Sequence, residues 1–134
     1  MNTVIEIHDS TVTEIVSRDG TMIVHFQPVY LHKSEGLPGV DAGTGWVQEA
    51  RLIFADAAAS GVYPEWPCDV MDGELIVDGE RYPNLIPAPF ETSTFTVLRL
   101  AFDSSHALTV TGRGARLELI GEPRYVEEFR RTKR

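Results

Sequence analysis

The sequence lacks several features that would assign a cell compartment or a covalent scaffold directly. It contains one cysteine, Cys68, so no disulfide can form within the chain, and we interpret Cys68 as structural. No apolar run is long enough to span a membrane, and Met1 to Thr3 lead into an alternating pattern rather than a signal peptide. These absences predict a cytoplasmic domain that makes no membrane contact.

Histidine pairs with metal-site spacing are also missing. The four histidines, His8, His25, His32 and His106, form neither an H-x-H nor an H-x-x-x-H pair. A site could still assemble in three dimensions from His8, Asp9, His32 and Asp41. Because isolated histidines in turns and strands need no ligand to explain them, we expect no metal and no cofactor.

Catalytic and phosphate-binding motifs are absent as well. Glycines at 36, 39, 43 and 45 suggest a phosphate loop, but their spacing matches neither the P-loop nor the dinucleotide fingerprint. Ser10 follows His8 and Asp9, yet adjacent residues on a bend point apart and cannot form a triad. We therefore predict no catalytic residues, and the sequence favours a non-catalytic protein without excluding an enzyme.

Charge is plentiful but unevenly distributed. The chain has 12 basic and 20 acidic residues, for a net charge of −8. Residues 124–134 carry five basic and two acidic side chains, a net +3, which leaves −11 on residues 1–123. An acidic body repels nucleic acid phosphates. We expect no nucleic acid partner and favour a basic protein partner.

Two Asp-Gly pairs predict β-hairpins with two-residue turns. Asp19-Gly20 would place Ile15 opposite Val24, Glu14 opposite His25 and Thr13 opposite Phe26. Asp78-Gly79 would place Leu75 opposite Tyr82. Pro28 predicts an edge or a bulge in the strand that follows the first turn.

The last third of the chain is typical of a meander. A strand over 95–102, a turn at 104–106 and a turn at Gly112-Arg113 would pair Val110 with Ala115 and Leu108 with Leu117. Pro123 would end the sheet, and Tyr125, Val126 and Phe129 recur at near-helical spacing. Residues 46–59 fit a helical stripe and a strand about equally, and we favour a strand.

Together these patterns predict an all-β fold. We expect an antiparallel sandwich or partly open barrel of about seven to nine strands, with a short C-terminal helix. Residues 1–123 would form a single domain and residues 124–134 a basic helix or tail.

The most probable binding segment runs from Tyr30 to Gln48, which has no repeating apolar pattern. A long loop on a rigid scaffold is a common place for a binding site. The candidate binding residues are Tyr30, His32, Lys33, Glu35, Asp41, Thr44, Trp46 and Gln48, and a pocket could add His8, Asp9 and Trp66. Alternatively, Trp46 and Trp66 cap the ends of the core.

The opening of the chain resembles small bacterial all-β domains, some of which are described as toxin-immunity or uncharacterised proteins. The resemblance rests on His8-Asp9-Ser10, Val12 and Ile15, then Val24 and Phe26 after a hairpin. It covers about 25 residues. It implies a bacterial cytosolic protein that binds another protein, and it transfers no catalytic residue.

Our leading hypothesis is a non-catalytic, immunity-like protein-binding module that uses segment 30–48. The alternative is a small-molecule-binding protein or hydrolase with a pocket under the same segment, using His8, His32, Asp41 and Lys33. A homodimer built on an open sheet edge or on the C-terminal segment is a third prediction.

Overall fold

A computed structural model describes residues 1–130, which form twelve β-strands and no helix. The strands are β1 (Asn2–Glu6), β2 (Thr11–Arg18), β3 (Thr21–Ser34), β4 (Gly43–Phe54), β5 (Ala58–Gly61), β6 (Cys68–Val77), β7 (Glu80–Pro83), β8 (Leu85–Ala88), β9 (Glu91–Thr92), β10 (Thr96–Phe102), β11 (Ala107–Gly112) and β12 (Ala115–Phe129). The prediction of an all-β fold is confirmed. Over the same residues, the chain has no helix with the length and apolar character needed to cross a bilayer.

All strand pairs are antiparallel and belong to one open sheet. Its main path runs β5-β11-β10-β6-β2-β3-β4-β12-β9, with β1 attached to β3 and β8, and β7 attached to β6. Apolar side chains from both halves of this path meet in one core, for example Phe26 and Phe54 with Leu98 and Phe102. Because side chains alternate between the two faces of a strand, each half of the sheet buries one of its faces in this core.

Both Asp-Gly hairpins are present with the predicted pairing near their turns. Ile15 pairs with Val24, Glu14 pairs with His25, and Leu75 pairs with Tyr82. The pairing of Thr13 with Phe26 is wrong, because a register shift before Glu14 puts Val12 opposite Phe26. Pro28 lies in the predicted bulge, between Phe26 and Val29 of β3.

The predicted C-terminal helix is wrong. Tyr125 and Phe129 belong to β12, a 15-residue strand that pairs with β4 along most of its length. Pro123 does not end the sheet, since β12 passes it at a bulge between Ile120 and Arg124. Residues 131–134 of the predicted basic tail lie outside the described residues.

The turn at Gly112-Arg113 is not a hairpin. Ala115 pairs with Phe54 and Thr92 instead of Val110, and Leu117 pairs with Leu52 instead of Leu108. The chain therefore crosses from one half of the sheet to the other at this turn. The predicted number of strands was too low, because β5, β7, β8 and β9 have only two to four residues each.

Segment 30–48 is mostly strand rather than loop. β3 continues to Ser34 and β4 begins at Gly43, so only residues 35–42 form the connection. The preference for strand over helix in 46–59 holds, since β4 extends to Phe54 and β5 covers Ala58–Gly61. The segment is thus the tip of a long hairpin.

Candidate functional site

Strands β1, β3, β4 and β12 turn one face to the core and the other, the outer face, to solvent. On β3, Val29 and Leu31 are buried, while Tyr30 and His32 project from the opposite side and are only half-buried. The bulge between Phe26 and Val29 sets this alternation. It allows His25, Tyr30 and His32 to share the outer face.

Glu6 links two histidines on the outer face. Its Oε1 lies 2.7 Å from Nε2 of His32, and its Oε2 lies 3.7 Å from Nδ1 of His8. Nδ1 of His8 is also 3.1 Å from Oδ2 of Asp9. Among residues 1–130, Nδ1 of His32 is buried and has no hydrogen-bond partner. Because an ionised carboxylate only accepts, the ring of His32 donates through Nε2 to Glu6. A chain His32–Glu6–His8–Asp9 results.

The backbone of this cluster is tightly fixed. The amide of His8 donates to the Asn84 side chain at 2.6 Å, and the amide of Asp9 donates to the carbonyl of Val70 at 2.9 Å. The amide of Ser10 closes the turn by donating to Ile7 at 3.0 Å. The backbone of the turn after β1 is therefore held by hydrogen bonds, and it positions the exposed side chains of His8 and Asp9.

Tyr30 forms the second polar contact of the outer face. Its hydroxyl donates to Oε2 of Glu127 at 2.6 Å, and its ring packs near His32 and Phe129, with centroids 5.0 and 6.3 Å away. Burial, followed by the hydrogen bond to Glu127, raises the pKa of the Tyr30 phenol well above its ordinary value. Gly45 makes room for this arrangement, because a Cβ there would overlap the Tyr30 hydroxyl.

His25 forms a separate cluster on the same side of β3. Its Nε2 lies 2.5 Å from Oε2 of Glu49, and its Nδ1 lies 3.8 Å from Oε1 of Glu14. Thr13 adds a hydroxyl 3.3 Å from Nδ1. As at Glu6, imidazole groups are the partners of the carboxylates.

Five carboxylates on this side, Glu6, Asp9, Glu14, Glu49 and Glu127, constitute what we call the acidic patch. Their side-chain partners are histidine and tyrosine. Within residues 1–130, no lysine or arginine nitrogen lies within 4.0 Å of any of them. These carboxylates therefore have imidazole and phenol groups as neighbours, and no arginine or lysine of the described residues pairs with them.

Two carboxylates outside the patch, Glu74 and Glu118, are paired with arginine. Glu74 lies 2.7 Å from Arg81 and 3.9 Å from Arg99. Glu118, which borders the acidic patch, lies 3.4 Å from Arg51 and 3.9 Å from Arg116. The carboxylates of the acidic patch differ from these two in having histidine and tyrosine partners.

Several predicted binding residues do not join the patch. Trp46 lies on the core side of β4, where its Nε1 donates to Thr44 at 2.8 Å. Lys33 places its Nζ 4.9 Å from the Trp46 ring centroid, and the Gln48 amide donates to the carbonyl of Gly121 at 2.7 Å. These contacts favour a structural role for Trp46.

The hairpin tip and Trp66 are also separate from the patch. Asp41 accepts a hydrogen bond from the amide of Leu37 at 2.7 Å and so stabilises the tip, where Glu35 is exposed. Trp66 packs against Phe102 at a centroid distance of 5.7 Å. Of the predicted residues, the structure brings together His8, Asp9, Tyr30 and His32.

Glu6, Glu127 and Phe129 belong to the site and were missed. Glu6 is two residues before His8, a spacing that favours one face of a strand, so alternation could have found it. Glu127 and Phe129 were assigned to a helix, and no local signal indicates that they lie beside Tyr30.

A cleft of about 340 Å³ lies at the end of the patch that holds Glu6, Asp9 and Glu127, and Tyr30, His32 and Phe129 also line it. A smaller cleft of about 140 Å³ at the tip contacts His32, Lys33 and Asp41. It is below the ~300–1,000 Å³ usual for small-molecule sites. Comparison with protein-family models, with curated proteins and with solved structures gives no match.

Proposed function

We propose that the chain is a non-catalytic protein-binding module whose acidic patch receives basic side chains of a partner protein. The observation that carries this proposal is the set of side chains that neighbour the carboxylates of the patch. Five carboxylates share one side of the sheet, and within the described part of the chain none has an arginine or lysine partner.

The geometry suits a guanidinium or ammonium group. Tyr30, His32 and Phe129 supply an aromatic surface, with ring centroids 5.0 to 6.3 Å apart, and Glu6, Asp9 and Glu127 lie around the same cleft. Aromatic faces and carboxylates together are favourable surroundings for a cation. Arginine is the best match, because its planar fork can bind a carboxylate while it stacks on a ring.

The scaffold supports recognition rather than catalysis. The two histidines nearest the cleft are held by carboxylates, and Ser10, which follows His8 and Asp9 in sequence, is buried with its hydroxyl donating to the carbonyl of Ile7. A preformed, acidic surface would accelerate association with a basic partner by electrostatic steering. This is the mode that the resemblance to immunity proteins implies, and a bacterial, cytoplasmic setting is part of the same proposal.

An NMR titration with a short arginine-containing peptide, acetylated and amidated, tests the proposal. At low ionic strength we expect amide shifts concentrated in residues 6–10, 28–33 and 124–130, with binding weakened by added salt. Shifts that centre on Glu74 and Glu118, or that spread evenly over the surface, would contradict the assignment.

A further inference from the structure

The donor atoms at one end of the cleft have an arrangement that a basic side chain does not require. Oε2 of Glu6, Nδ1 of His8 and Oδ2 of Asp9 converge, with separations of 3.7 Å for Glu6 to His8 and 3.1 Å for His8 to Asp9. All three ligand-type atoms lie within 4.8 Å of one another. We infer that Glu6, His8 and Asp9 form a binding site for a divalent transition-metal ion of the Zn²⁺ class.

Two of the three separations are close to the edges of a tetrahedral site. Metal–ligand distances of about 2.0–2.2 Å in a tetrahedron give ligand–ligand distances of roughly 3.3–3.6 Å. The two measured separations, 3.1 and 3.7 Å, are close to this range. The ligand atoms of Glu6 and Asp9 lie within 4.8 Å of each other, so rotation of these two side chains would complete the set around an ion.

The surroundings orient the donors. His32 donates to Oε1 of Glu6 at 2.7 Å and leaves Oε2 facing His8. Such a hydrogen bond from a neighbouring residue to a ligating carboxylate is the usual support of a metal ligand. The backbone amides of His8 and Asp9 are bonded to Asn84 and Val70, so the turn is ordered before an ion arrives.

The donor set selects the class of ion. One imidazole nitrogen and two carboxylate oxygens suit Zn²⁺ and related ions. Ca²⁺ takes six to eight oxygen ligands and Mg²⁺ prefers an octahedron of oxygens, which three donors with one nitrogen match poorly. His8 and Asp9 are exposed, with 46% and 79% of their side-chain surface accessible. The fourth position is therefore open to water or to a ligand group.

This inference does not depend on the proposed partner, because metal binding is measured on the isolated chain. Tag-free protein treated with a chelator is titrated with Zn²⁺ by calorimetry and with Co²⁺ by visible absorption. We expect one saturable site, Co²⁺ bands of a low-symmetry four- or five-coordinate centre, and weak Ca²⁺ binding. We also expect Zn²⁺ to shift the ring signals of His8 in the unmodified protein.

Variants identify the ligands. His8→Ala and Asp9→Asn should each weaken Zn²⁺ binding by at least about tenfold, and His32→Gln should weaken it through Glu6 by a similar factor. His106→Ala, in the β10–β11 turn, is the matched control and should leave the affinity unchanged. Absence of a saturable site, equal loss in the His106→Ala variant, or Zn²⁺ affinity that survives His8→Ala would overturn the inference.

Discussion

Glu74 and Glu6 are both strand carboxylates with little solvent exposure, 15% and 22% of the side-chain surface, but their neighbours carry different charges. Glu74 faces Arg81 and Arg99, whereas Glu6 faces His32 and His8. Both carboxylates have hydrogen-bond partners, yet within the described chain only Glu74 is paired with arginine. An equal degree of burial can therefore accompany either a closed ion-pair network or an open negative surface.

Carboxylates with arginine partners and carboxylates without them are expected to differ in their effects on stability and on ligand binding. Exposed arginine–carboxylate pairs contribute about 0.2–1 kcal/mol to stability and leave little field outside the protein. Carboxylates that lack an arginine or lysine partner can attract a cation supplied by another molecule. Under the proposed function the acidic patch binds a basic partner, and the Glu74 and Glu118 networks do not take part.

The largest predicted effect concerns the support of Tyr30. Gly45→Ala should destabilise the fold by about 1–3 kcal/mol, because its Cβ would overlap the Tyr30 hydroxyl and displace it from Glu127. Urea unfolding measures the change. In a Tyr30→Ala background the same substitution should cost clearly less. Equal costs in the two backgrounds would show that Gly45 does not serve to accommodate Tyr30.

Tyr30→Phe tests the hydrogen bond that joins β3 to β12. We expect a loss of about 1 kcal/mol at neutral pH. Because the pKa of Tyr30 is raised in the folded state, this stabilisation is fully present below the unfolded value of about 10 and is lost as pH rises through the folded value.

Absorbance at 295 nm during an alkaline titration supplies the readout. The folded protein should show a late-ionising phenol above the ordinary tyrosine range, and Tyr30→Phe should remove that phase. If the phase persists in the variant, the raised pKa belongs to another tyrosine. Tyr82 is the alternative, because burial also raises its pKa.

Some of the contacts behind these predicted effects could be predicted from the sequence, and others could not. The two Asp-Gly hairpins were predictable with their pairing because a two-residue turn fixes the register of neighbouring strands locally. The bulge at Pro28 was predictable since proline cannot donate a ladder hydrogen bond. Tyr30 and His32 follow from that bulge as residues of one face.

The partner of β12 was not predictable in the same way. Tyr125 and Phe129 fit a helix by spacing, but Tyr125 packs against Trp46 and Phe129 against His32, with centroids 5.3 and 5.4 Å apart. These contacts join residues more than 75 positions apart in sequence. Tertiary packing of this kind overrides local propensity, which is why Glu127 was missed as a site residue.

Substituting an arginine-paired carboxylate and substituting a patch carboxylate should change the free energy of unfolding by small amounts of opposite sign. Glu118→Gln should destabilise the protein by up to about 1 kcal/mol, since it removes the partner of Arg51 and Arg116. Asp9→Asn should be neutral or stabilising by up to about 0.5 kcal/mol, because it relieves repulsion from Glu6 and because Asn tolerates the positive φ of 66° at this position.

Thermal unfolding of both variants at low and at 1 M NaCl measures these differences. The two effects should converge at high salt, where the Debye length is about 3 Å. Destabilisation by Asp9→Asn as large as that by Glu118→Gln would remove the distinction between the acidic patch and the arginine-paired carboxylates.

The most direct test of the account compares two triple variants with the same net charge. One replaces Glu6, Glu14 and Glu127 of the acidic patch by Gln, and the other replaces the exposed residues Glu65, Glu80 and Glu122 by Gln. Calorimetry with the arginine peptide at low salt should show about tenfold or greater weakening for the patch variant and a much smaller change for the control. Equal weakening in both variants would show that overall charge, rather than the acidic patch, attracts the ligand.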